Sequence, residues 1–346
     1  MSSDKILVIG SNSFSGSHFV AEALRSGHQV WGVSRSPEPD YVFLPYRWSD
    51  QSSAQPLANA DNFSFGQVDL NTQLDQLLEL IDRVQPEIVV NFAAQGMVAE
   101  SWLNPTHWYK TNVVSQVALH DALRQKSFLK KYVHVTTPEV YGSTGGGWIK
   151  EHNNFAPSTP YAVSRAACDL HLHSFHKAYG FPVVFTRAAN VYGPGQQLYR
   201  IIPRAMLSAR TGRPMQLHGG GHSERSFIHI QDVVRATLQL ALEAEPGSTW
   251  HLSTRESISI RALVETICEH CGAPFDAVVE DSVDRLGKDQ SYLLDSTAIR
   301  ECFGWADQIS LDAGITETLA WVDTHLEQLK LLPWTYQHKE IGRAHV

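Results

Sequence analysis

The stretch that decides the fold is ILVIGSNSFSG, residues 6–16, close to the start of the 346-residue chain. Its four apolar residues predict a buried strand, and the glycine-containing turn leads into a helix pattern that stops at Gly27. The apolar run at 30–33 predicts a second strand. This order opens a dinucleotide-binding unit in which Gly10 allows a tight turn, Gly16 allows close helix–sheet packing and the helix N-terminus meets a pyrophosphate. The usual middle glycine is Ser13, whose hydroxyl could donate to phosphate unless the loop lies further out.

The end of the second predicted strand bears on which dinucleotide binds. Its residues are Ser34, Arg35 and Ser36. Folds that select NAD usually place an acidic residue here to accept hydrogen bonds from the ribose hydroxyls. An arginine between serines suits a 2′-phosphate better, so we expect NADP rather than NAD.

Strands and helices alternate along most of the chain. Further strands are predicted at 63–68, 87–92, 132–135, 183–186 and 250–253. Helices are predicted at 74–84, 105–123, from Pro160 onward, and at 231–242, 260–271, 296–303 and 311–329. This alternation predicts an α/β fold with a doubly wound parallel (Rossmann) sheet. The segment 37–66 has no clear period and is expected to be a long surface loop.

A change of texture after residue 188 predicts a second domain, because strands become shorter and Gly, Pro, Arg and His become commoner. We expect a Rossmann domain at 1–188, to which 226–254 return. A smaller C-terminal α/β substrate-binding domain comprises 189–225 and 255–335, and 336–346 form a tail.

Charge and composition narrow the possible partners. A net charge of −8 without a basic run argues against nucleic acid. No apolar run approaches the ~20 residues of a membrane span, and the start lacks a signal peptide's apolar region, so we expect a cytoplasmic protein.

No metal site is expected from the cysteines and histidines. Cys268 and Cys271 lie three apart in a predicted helix without a second pair, and that spacing simply places both on one face. His171, His173 and His176 read as a solvated helix face.

Two polar stretches carry the candidate chemistry. TTPEVYG, residues 136–142, follows the strand at 132–135, and in open α/β sheets ligands bind at the carboxyl ends of strands. Tyr161 and Arg165 are four apart on the helix that follows Pro160. A cation one turn away should lower the pKa of the phenol below about 10, and such a tyrosine can take the proton of a sugar hydroxyl during oxidation. A surface Tyr–Arg pair is the alternative interpretation.

Taken together, these motifs resemble the extended short-chain dehydrogenases/reductases that act as nucleotide-sugar epimerases, dehydratases and decarboxylases. In texture the chain is most similar to dTDP-glucose and GDP-mannose 4,6-dehydratases, from Ile6 to about Leu329. The further markers are Asp69-Leu70, Ala93-Ala94-Gln95, 137–142, 160–165, 190–194, 225–228 and 284–289.

The resemblance implies a role for each matching position. Tyr161 would be the base at the sugar 4-hydroxyl, Thr137 would hydrogen-bond that oxygen, Glu139 would remove the C5 proton and Arg165 would assist. The implied cofactor site, for a tightly bound and recycled NADP or NAD, comprises Gly10, Asn12, Ser13, Phe14, Gly16, Ser34, Arg35, Asp69 (at the adenine), Leu70, Ala93, Ala94, Gln95, Asn112, Tyr161 and Arg165. The implied site for a nucleoside-diphosphate hexose comprises Asn190, Arg225 and Arg285 at the diphosphate, Met215, Leu217 and His218 at the nucleobase, and Gln95. A homodimer through the helices near Pro105 and Tyr161 is also implied.

Two departures from the family pattern concern the mechanism. Arg165 stands where the family has lysine; it can still stabilise a phenolate but does not give up a proton. Pro138 stands where dTDP-glucose dehydratases have the aspartate that protonates the leaving hydroxyl, although the GDP-mannose branch also lacks it. Glu139 weighs against simple 4-epimerisation, because epimerases place a small residue there.

Three functions follow from this resemblance. The first is a 4,6-dehydratase that oxidises C4, deprotonates C5, eliminates water and returns hydride to C6. The second is an epimerase or decarboxylase of the same fold. The third is a binding or regulatory protein that kept the pocket and lost the chemistry.

Overall fold

The computed structural model describes residues 3–48, 60–143, 145–282, 293–338 and 341. Its centre is a seven-stranded sheet in which every neighbouring pair is parallel. In chain order the strands are β1 (Lys5–Ile9), β2 (Gln29–Ser34), β3 (Phe63–Gln67), β4 (Ile88–Asn91), β5 (Lys131–Val135), β6 (Val183–Ala188) and β7 (Thr249–Leu252). Their spatial order is β7-β6-β5-β4-β1-β2-β3, so the winding reverses between β1 and β4. The predicted doubly wound parallel sheet is confirmed.

Helices cover both faces of this sheet. They are α1 (Phe14–Arg25), α2 (Leu74–Val84), α3 (Pro105–Tyr109), α4 (Ser115–Leu123), α5 (Pro160–Tyr179) and α7 (Ile230–Glu243). Three more helices, α6 (Ile201–Thr211), α8 (Ile260–Cys271) and α9 (Leu311–Thr324), lie away from the large sheet. Successive residues of β1 point to opposite faces, as the period of a strand requires. Ile6 and Val8 pack in the cluster under α1 and α7, whereas Leu7 and Ile9 pack under α2, α4 and α5. The near-continuous apolar runs of the sequence therefore belong to strands that are buried on both sides.

A third hydrophobic cluster lies among α6, α8 and α9. Smaller two-stranded sheets accompany it: Asn190–Tyr192 with Phe227–His229, Met215–His218 with Val279–Ser282, Glu224–Arg225 with Ile258–Ser259, and Trp148–Ile149 with Leu293–Leu294. Short helices occur at Val98–Ser101, Phe275–Val278, Thr297–Phe303 and Leu326–Leu329. None of the helices formed by the described residues is long and apolar enough to cross a bilayer.

Most predicted element boundaries agree with the structure within two residues, and three details differ. The helix expected at 105–123 contains a π-helical turn, Lys110–Val114, between α3 and α4, and π turns are frequent at functional sites. The helix expected at 311–329 breaks at His325.

The segment after β2 is the third difference, because part of the expected surface loop is core. It forms two short turns, Tyr41–Phe43 and Pro45–Arg47. Val42, Leu44 and Tyr46 are at most 3% exposed. Val42 packs in the cluster of α6, α8 and α9, whereas Leu44 and Tyr46 pack with α1. The surface-loop prediction is therefore wrong for 41–47, and residues 49–59 lie outside the described chain.

Candidate active site

The glycine turn after β1 leaves no room for side chains at its two glycines. Gly10 has φ +83°, and a Cβ there would lie 2.8 Å from the amide nitrogen of Ala93. A Cβ on Gly16 would lie 2.2 Å from the carbonyl oxygen of Gly10. Ser13 caps α1, since its hydroxyl accepts from the Gly16 amide at 3.1 Å and donates to the Gly10 carbonyl at 2.7 Å. The hydroxyl proton is therefore used within the turn, and the anticipated donation from Ser13 to a phosphate has no support.

A cleft of about 330 Å³ opens beside this turn, between the carboxyl ends of β1, β2 and β4. Most of the predicted cofactor residues line it: Gly10, Asn12, Ser13, Ser34, Arg35, Asp69, Leu70, Ala93, Ala94 and Gln95. Phe14 and Gly16 are buried in α1. The cleft lies at the point where the winding of the sheet reverses, which is where ligands bind in such folds.

The end of β2 is tied to the glycine turn. The Asn12 amide donates to Ser34 Oγ at 3.0 Å, and Asn12 Nδ2 donates to the carbonyls of Ser36 (3.2 Å) and Pro37 (3.0 Å). Arg35 instead reaches across the cleft, where its Nη2 donates to Gln95 Oε1 at 3.3 Å. Among Ser34, Arg35 and Ser36, Arg35 is thus the residue whose side chain spans the cleft.

The rim beyond β3 carries a fixed carboxylate. Asp69 Oδ1 accepts from both the amide and Nδ2 of Asn71 at 2.9 Å, and the Asp69 amide donates to Gln73 Oε1 at 2.8 Å. These bonds hold Asp69 in the cleft lining, next to Leu70.

Asn112 lies behind the cleft and positions Gln95. Asn112 is fully buried in the π-helical turn. Its Oδ1 accepts from the Gln95 amide at 2.8 Å, while its Nδ2 donates to the Gln95 carbonyl and to Ser164 Oγ, both at 3.0 Å. Gln95 Nε2 in turn lies 3.4 Å from Tyr336 Oη and 3.2 Å from His338 Nδ1. Sequence reasoning had given the residues around 336–338 no contact with the site.

The candidate catalytic side chains meet where β5 ends. Thr137 caps the turn Pro138–Tyr141, with its hydroxyl accepting from the Glu139 amide at 3.3 Å. Thr137 also hydrogen-bonds Tyr161, whose ring enters from the first turn of α5. Thr159 caps that helix by accepting from the Ala162 amide at 3.1 Å. The structure thus brings together a phenol, a hydroxyl and a carboxylate from two separate stretches of sequence.

The direction predicted for the pKa of Tyr161 is reversed. Burial raises it above its usual 10, and the charge of Glu139 adds to this effect. The Arg165 guanidinium and the Thr137 hydrogen bond oppose the increase without cancelling it. Desolvation therefore outweighs the helix-face cation on which the sequence argument relied.

Arg165 is part of the core rather than of a surface pair. It is 2% exposed, and its Nη2 donates to the carbonyl of Val135 and lies 3.5 Å from His134 Nε2. The guanidinium therefore lies against the carboxyl end of β5. The alternative of a surface Tyr–Arg pair is wrong.

A second cation near Tyr161 was missed by the sequence analysis. Arg200 precedes α6 and also lowers the pKa of the Tyr161 hydroxyl. Gln197, three residues earlier, lines the cleft. Arg200 and Gln197 follow closely after the family marker at 190–194. That proximity is the one feature of the sequence that could have indicated their place near the site.

The predicted substrate residues are distributed around the hydrophobic cluster of α6, α8 and α9. Asn190 donates to the Ser226 carbonyl at 3.2 Å, and the 9% exposed Arg225 donates to the Glu224 carbonyl at 2.7 Å. Two of the three predicted nucleobase residues, Met215 and Leu217, pack in the core, whereas His218 is half-buried. Arg285 lies outside the described residues.

A buried ionic network supports the catalytic edge from below. Asp169 accepts from Arg187 Nη2 at 2.7 Å and from Thr136 Oγ1 at 3.1 Å, and lies 3.3 Å from His134 Nε2. Arg187 Nη1 also donates to Tyr141 Oη at 3.1 Å. Asp169, Arg187 and His134 are at most 1% exposed. The sequence analysis did not detect this network.

Comparisons with known proteins find relatives along almost the whole chain. The sequence model of the family described as GDP-mannose 4,6 dehydratase matches residues 7–318. A curated relative, the dTDP-glucose 4,6-dehydratase of Streptomyces niveus, is 33% identical over 326 residues, which are 92% of each chain. A dTDP-glucose 4,6-dehydratase from Bacillus anthracis, solved in complex with NAD, has a TM-score of 0.83 at 26% identity and covers 95% of this chain and 99% of its own. A UDP-glucose 4-epimerase from Thermotoga maritima, solved with UDP-glucose, has a TM-score of 0.80 at 25% identity and covers 93% and 99%.

Proposed function

We propose, from the premise that the chain belongs to the GDP-mannose 4,6 dehydratase family of extended short-chain dehydrogenases/reductases, that it is a nucleotide-sugar 4,6-dehydratase. Such a lyase converts an NDP-hexose into the NDP-4-keto-6-deoxyhexose. The observation that carries the proposal is the meeting of Thr137, Glu139 and Tyr161 at the carboxyl end of β5, the edge of the sheet onto which the cleft also opens. A sugar hydroxyl oxidised at that edge would adjoin the Tyr161 phenol as its proton acceptor. The Glu139 carboxylate would be available as a second base.

The glycine turn fits a dinucleotide, because the absence of Cβ atoms at Gly10 and Gly16 lets the turn pack closely against Ala93 and against the start of α1. The N-terminus of α1 then adjoins the cleft, where a pyrophosphate would meet it. When bound, the nicotinamide dinucleotide supplies the transient oxidation at C4 and the later reduction at C6. The small side chains of Ala93 and Ala94 line the cleft and leave room for a bound ligand. Asp69 would accept a hydrogen bond from an adenine with Oδ2, since its Oδ1 bonds Asn71.

The residues of this chain would move the protons. Tyr161, with its oxygen held by Thr137, takes the 4-hydroxyl proton, and Arg165 and Arg200 favour the resulting phenolate. The C4 ketone acidifies C5, and Glu139 takes that proton. Pro138 has no proton to give, so Glu139 also protonates the departing 6-hydroxyl. One carboxyl group then serves both halves of the elimination. Reduction at C6 also requires a proton at C5, and the proton that Tyr161 took from the 4-hydroxyl supplies it, so that the only net loss is one water.

This mechanism is tested with Glu139→Gln and Tyr161→Phe against a panel of dTDP-, UDP-, GDP- and CDP-hexoses, read by mass spectrometry. The parent should yield a product lighter by one water without net use of dinucleotide. Glu139→Gln should lose that product while binding dinucleotide as the parent does, and full activity in this variant would overturn the role of Glu139.

An epimerase is the second candidate, favoured by the Thermotoga maritima neighbour and by the lack of an acid at Pro138. The same panel separates the two, because an epimerised sugar keeps its mass. A decarboxylase would instead remove the mass of carbon dioxide from a uronic acid.

We infer further that the cofactor is NADP. Arg35 spans the cleft, and no carboxylate among the described residues of the cleft lining lies at the end of β2. Arg35→Asp should weaken NADP binding at least about tenfold relative to NAD, since a carboxylate repels a 2′-phosphate and accepts from a 2′-hydroxyl. Isothermal titration of both dinucleotides measures this, and tighter binding of NAD by the parent would contradict it.

The assembly we propose is a homodimer through α3–α5. Large apolar side chains remain exposed on these helices: Tyr109 (37%), Val163 (37%), Leu170 (49%), Val114 (53%) and Tyr179 (59%). A paired helix face would bury them. Light scattering should give twice the mass of one chain for the parent and a monomer for Leu170→Glu.

The division into domains also remains a proposal. The cluster of α6, α8 and α9 is separate from the clusters of the large sheet, to which α7 and β7 return. Ile299 and Trp305, although they belong to 255–335, pack with β6, β7 and α7. This arrangement supports a Rossmann domain of 1–188 with 226–254, beside a nucleotide-sugar domain of 189–225 and 255–335.

A further inference from the structure

Behind the catalytic edge lies a buried group of three metal-ligand side chains that the proposed mechanism does not use. His120 belongs to α4, His134 to β5 and Cys168 to α5. One candidate ligand atom from each lies within 4.8 Å of the other two. All three residues are at most 1% exposed.

The two histidines already have one ring nitrogen engaged and the other free. His120 Nε2 lies 2.9 Å from Tyr132 Oη, and His134 Nε2 lies 3.3 Å from Asp169 Oδ1. Nδ1 of His120 and Nδ1 of His134 are buried without a hydrogen-bond partner among the described residues. A buried nitrogen without a partner is unfavourable, and coordination to a metal ion would satisfy it.

Their surroundings favour the neutral, metal-binding form of both rings. Burial lowers the pKa of His134 to about 4 and lowers that of His120 well below its usual value. A histidine whose second nitrogen faces a carboxylate, as His134 faces Asp169, is also the usual arrangement behind a metal ligand.

We propose that His120, His134 and Cys168 form a binding site for a soft monovalent metal ion, copper(I), behind the active site. The set of two imidazoles and one thiolate in a trigonal arrangement is one that proteins use for copper. Three donors 4.8 Å apart would each lie about 2.8 Å from an ion at their centre. Metal–nitrogen and metal–sulfur bonds of ~2.0–2.3 Å require each donor to move inward by roughly 0.5–0.8 Å, which small side-chain rotations supply.

The net charge of the loaded site selects copper(I) over zinc. Burial raises the pKa of the Cys168 thiol to about 12, so copper(I) has to displace its proton. On binding, the S–H bond breaks, the proton leaves for solvent and a sulfur–copper bond forms without change of oxidation state. A copper(I) thiolate is then neutral. The buried charges nearby are the cations Arg165 and Arg187 and the single carboxylate of Asp169, which Arg187 already pairs. Zinc(II) would add one net positive charge to this excess of cations, and burying a further uncompensated charge is unfavourable. Zinc also prefers four ligands, whereas this group has three.

Such an ion would link β5 and α5, the two elements that position the proposed catalytic residues. β5 leads directly into Thr137 and Glu139, and α5 begins at the turn that holds Tyr161. The site therefore adds a link between the two stretches that must stay in register for proton transfer.

The test is an anaerobic titration of purified, metal-free full-length protein with copper(I), in competition with a chromophoric copper(I) chelator. Cys168→Ser removes the proposed ligand. Cys268→Ser is the matched control, because Cys268 is also buried (3% exposed) but lies in α8. The parent and Cys268→Ser should bind one equivalent and gain thermal stability, whereas Cys168→Ser should do neither.

Equal copper binding by the parent and Cys168→Ser would overturn the proposal, as would loss of binding in Cys268→Ser alone. Tighter retention of zinc(II) than of copper(I) would overturn the assignment of the ion. X-ray absorption of the copper-loaded parent should show one sulfur and two nitrogen neighbours, and this measurement decides the ligand set even if Cys168→Ser fails to fold. The proposal does not depend on the dehydratase reaction, so neither result bears on the other.

Discussion

Replacing Asp169 by alanine tests the buried network beneath the catalytic edge. The substitution removes a carboxylate that accepts from Arg187 at 2.7 Å and Thr136 at 3.1 Å and that lies 3.3 Å from His134. Arg187 and Asp169 are both fully buried, so bulk solvent does not screen the pair. Arg187 keeps its bond to the Tyr141 hydroxyl at 3.1 Å, but that neutral group does not balance a charge.

The expected loss of folding free energy follows from this geometry. Removing one partner of a buried ion pair destabilises by ~3–5 kcal/mol, because the other charge remains uncompensated. That range corresponds to an unfolding equilibrium constant higher by about two to nearly four powers of ten. The double replacement Asp169→Leu with Arg187→Met removes both charges, and it should recover most of the loss.

Urea unfolding followed by circular dichroism measures these changes. Asp121→Ala is the control, because Asp121 forms a 2.7 Å pair with Arg124 in which both side chains are substantially exposed, and it should leave the midpoint unchanged. A loss below ~1 kcal/mol for Asp169→Ala would refute the reasoning, as would a double variant no more stable than Asp169→Ala alone.

Three further predictions concern the site itself. Gly16→Ala should weaken dinucleotide binding at least about tenfold in calorimetry, because its Cβ would lie 2.2 Å from the Gly10 carbonyl oxygen; unchanged affinity would contradict the close approach of α1. Asn112→Ala should lower kcat/KM by roughly 10–100-fold and the free energy of unfolding by ~1–3 kcal/mol, since it frees the Gln95 backbone; full activity would show that Gln95 needs no such support. Because burial raises the pKa of Tyr161 and the phenolate is the active base, kcat/KM should rise with pH from about 7 to about 9; a profile already flat over that range would contradict the assignment.

The fold could be predicted because its signals are local. The apolar run of β1, the glycines that a Cβ would obstruct and the alternation of strands with helices are all visible in the sequence, and the family resemblance they supported is confirmed. The spacing of Tyr161 and Arg165 likewise correctly placed both on one helix.

The misses have a common physical cause, which is burial decided by distant parts of the chain. A proline interrupts the apolar pattern formed by Val42, Leu44 and Tyr46. These side chains are buried because they pack against α1 and in the cluster of α6, α8 and α9. Sequence spacing gave the distance between Tyr161 and Arg165, but it could not give the desolvation that reverses the direction of the tyrosine's pKa. Asp169 and Arg187 are far apart along the chain and meet only when α5 packs on β6.

Burial also gives a reason for arginine at position 165, where the family has lysine. The side chain is 2% exposed, lies 3.5 Å from His134 and donates to the Val135 carbonyl. A lysine desolvated to that degree would have a lowered pKa and could lose its proton, whereas a guanidinium remains charged. The positive charge that opposes the raised pKa of Tyr161 is therefore independent of pH in this chain. Arginine at this position preserves the electrostatic part of the family's tyrosine–lysine pair, and it does so in an environment where lysine itself would be the less dependable cation.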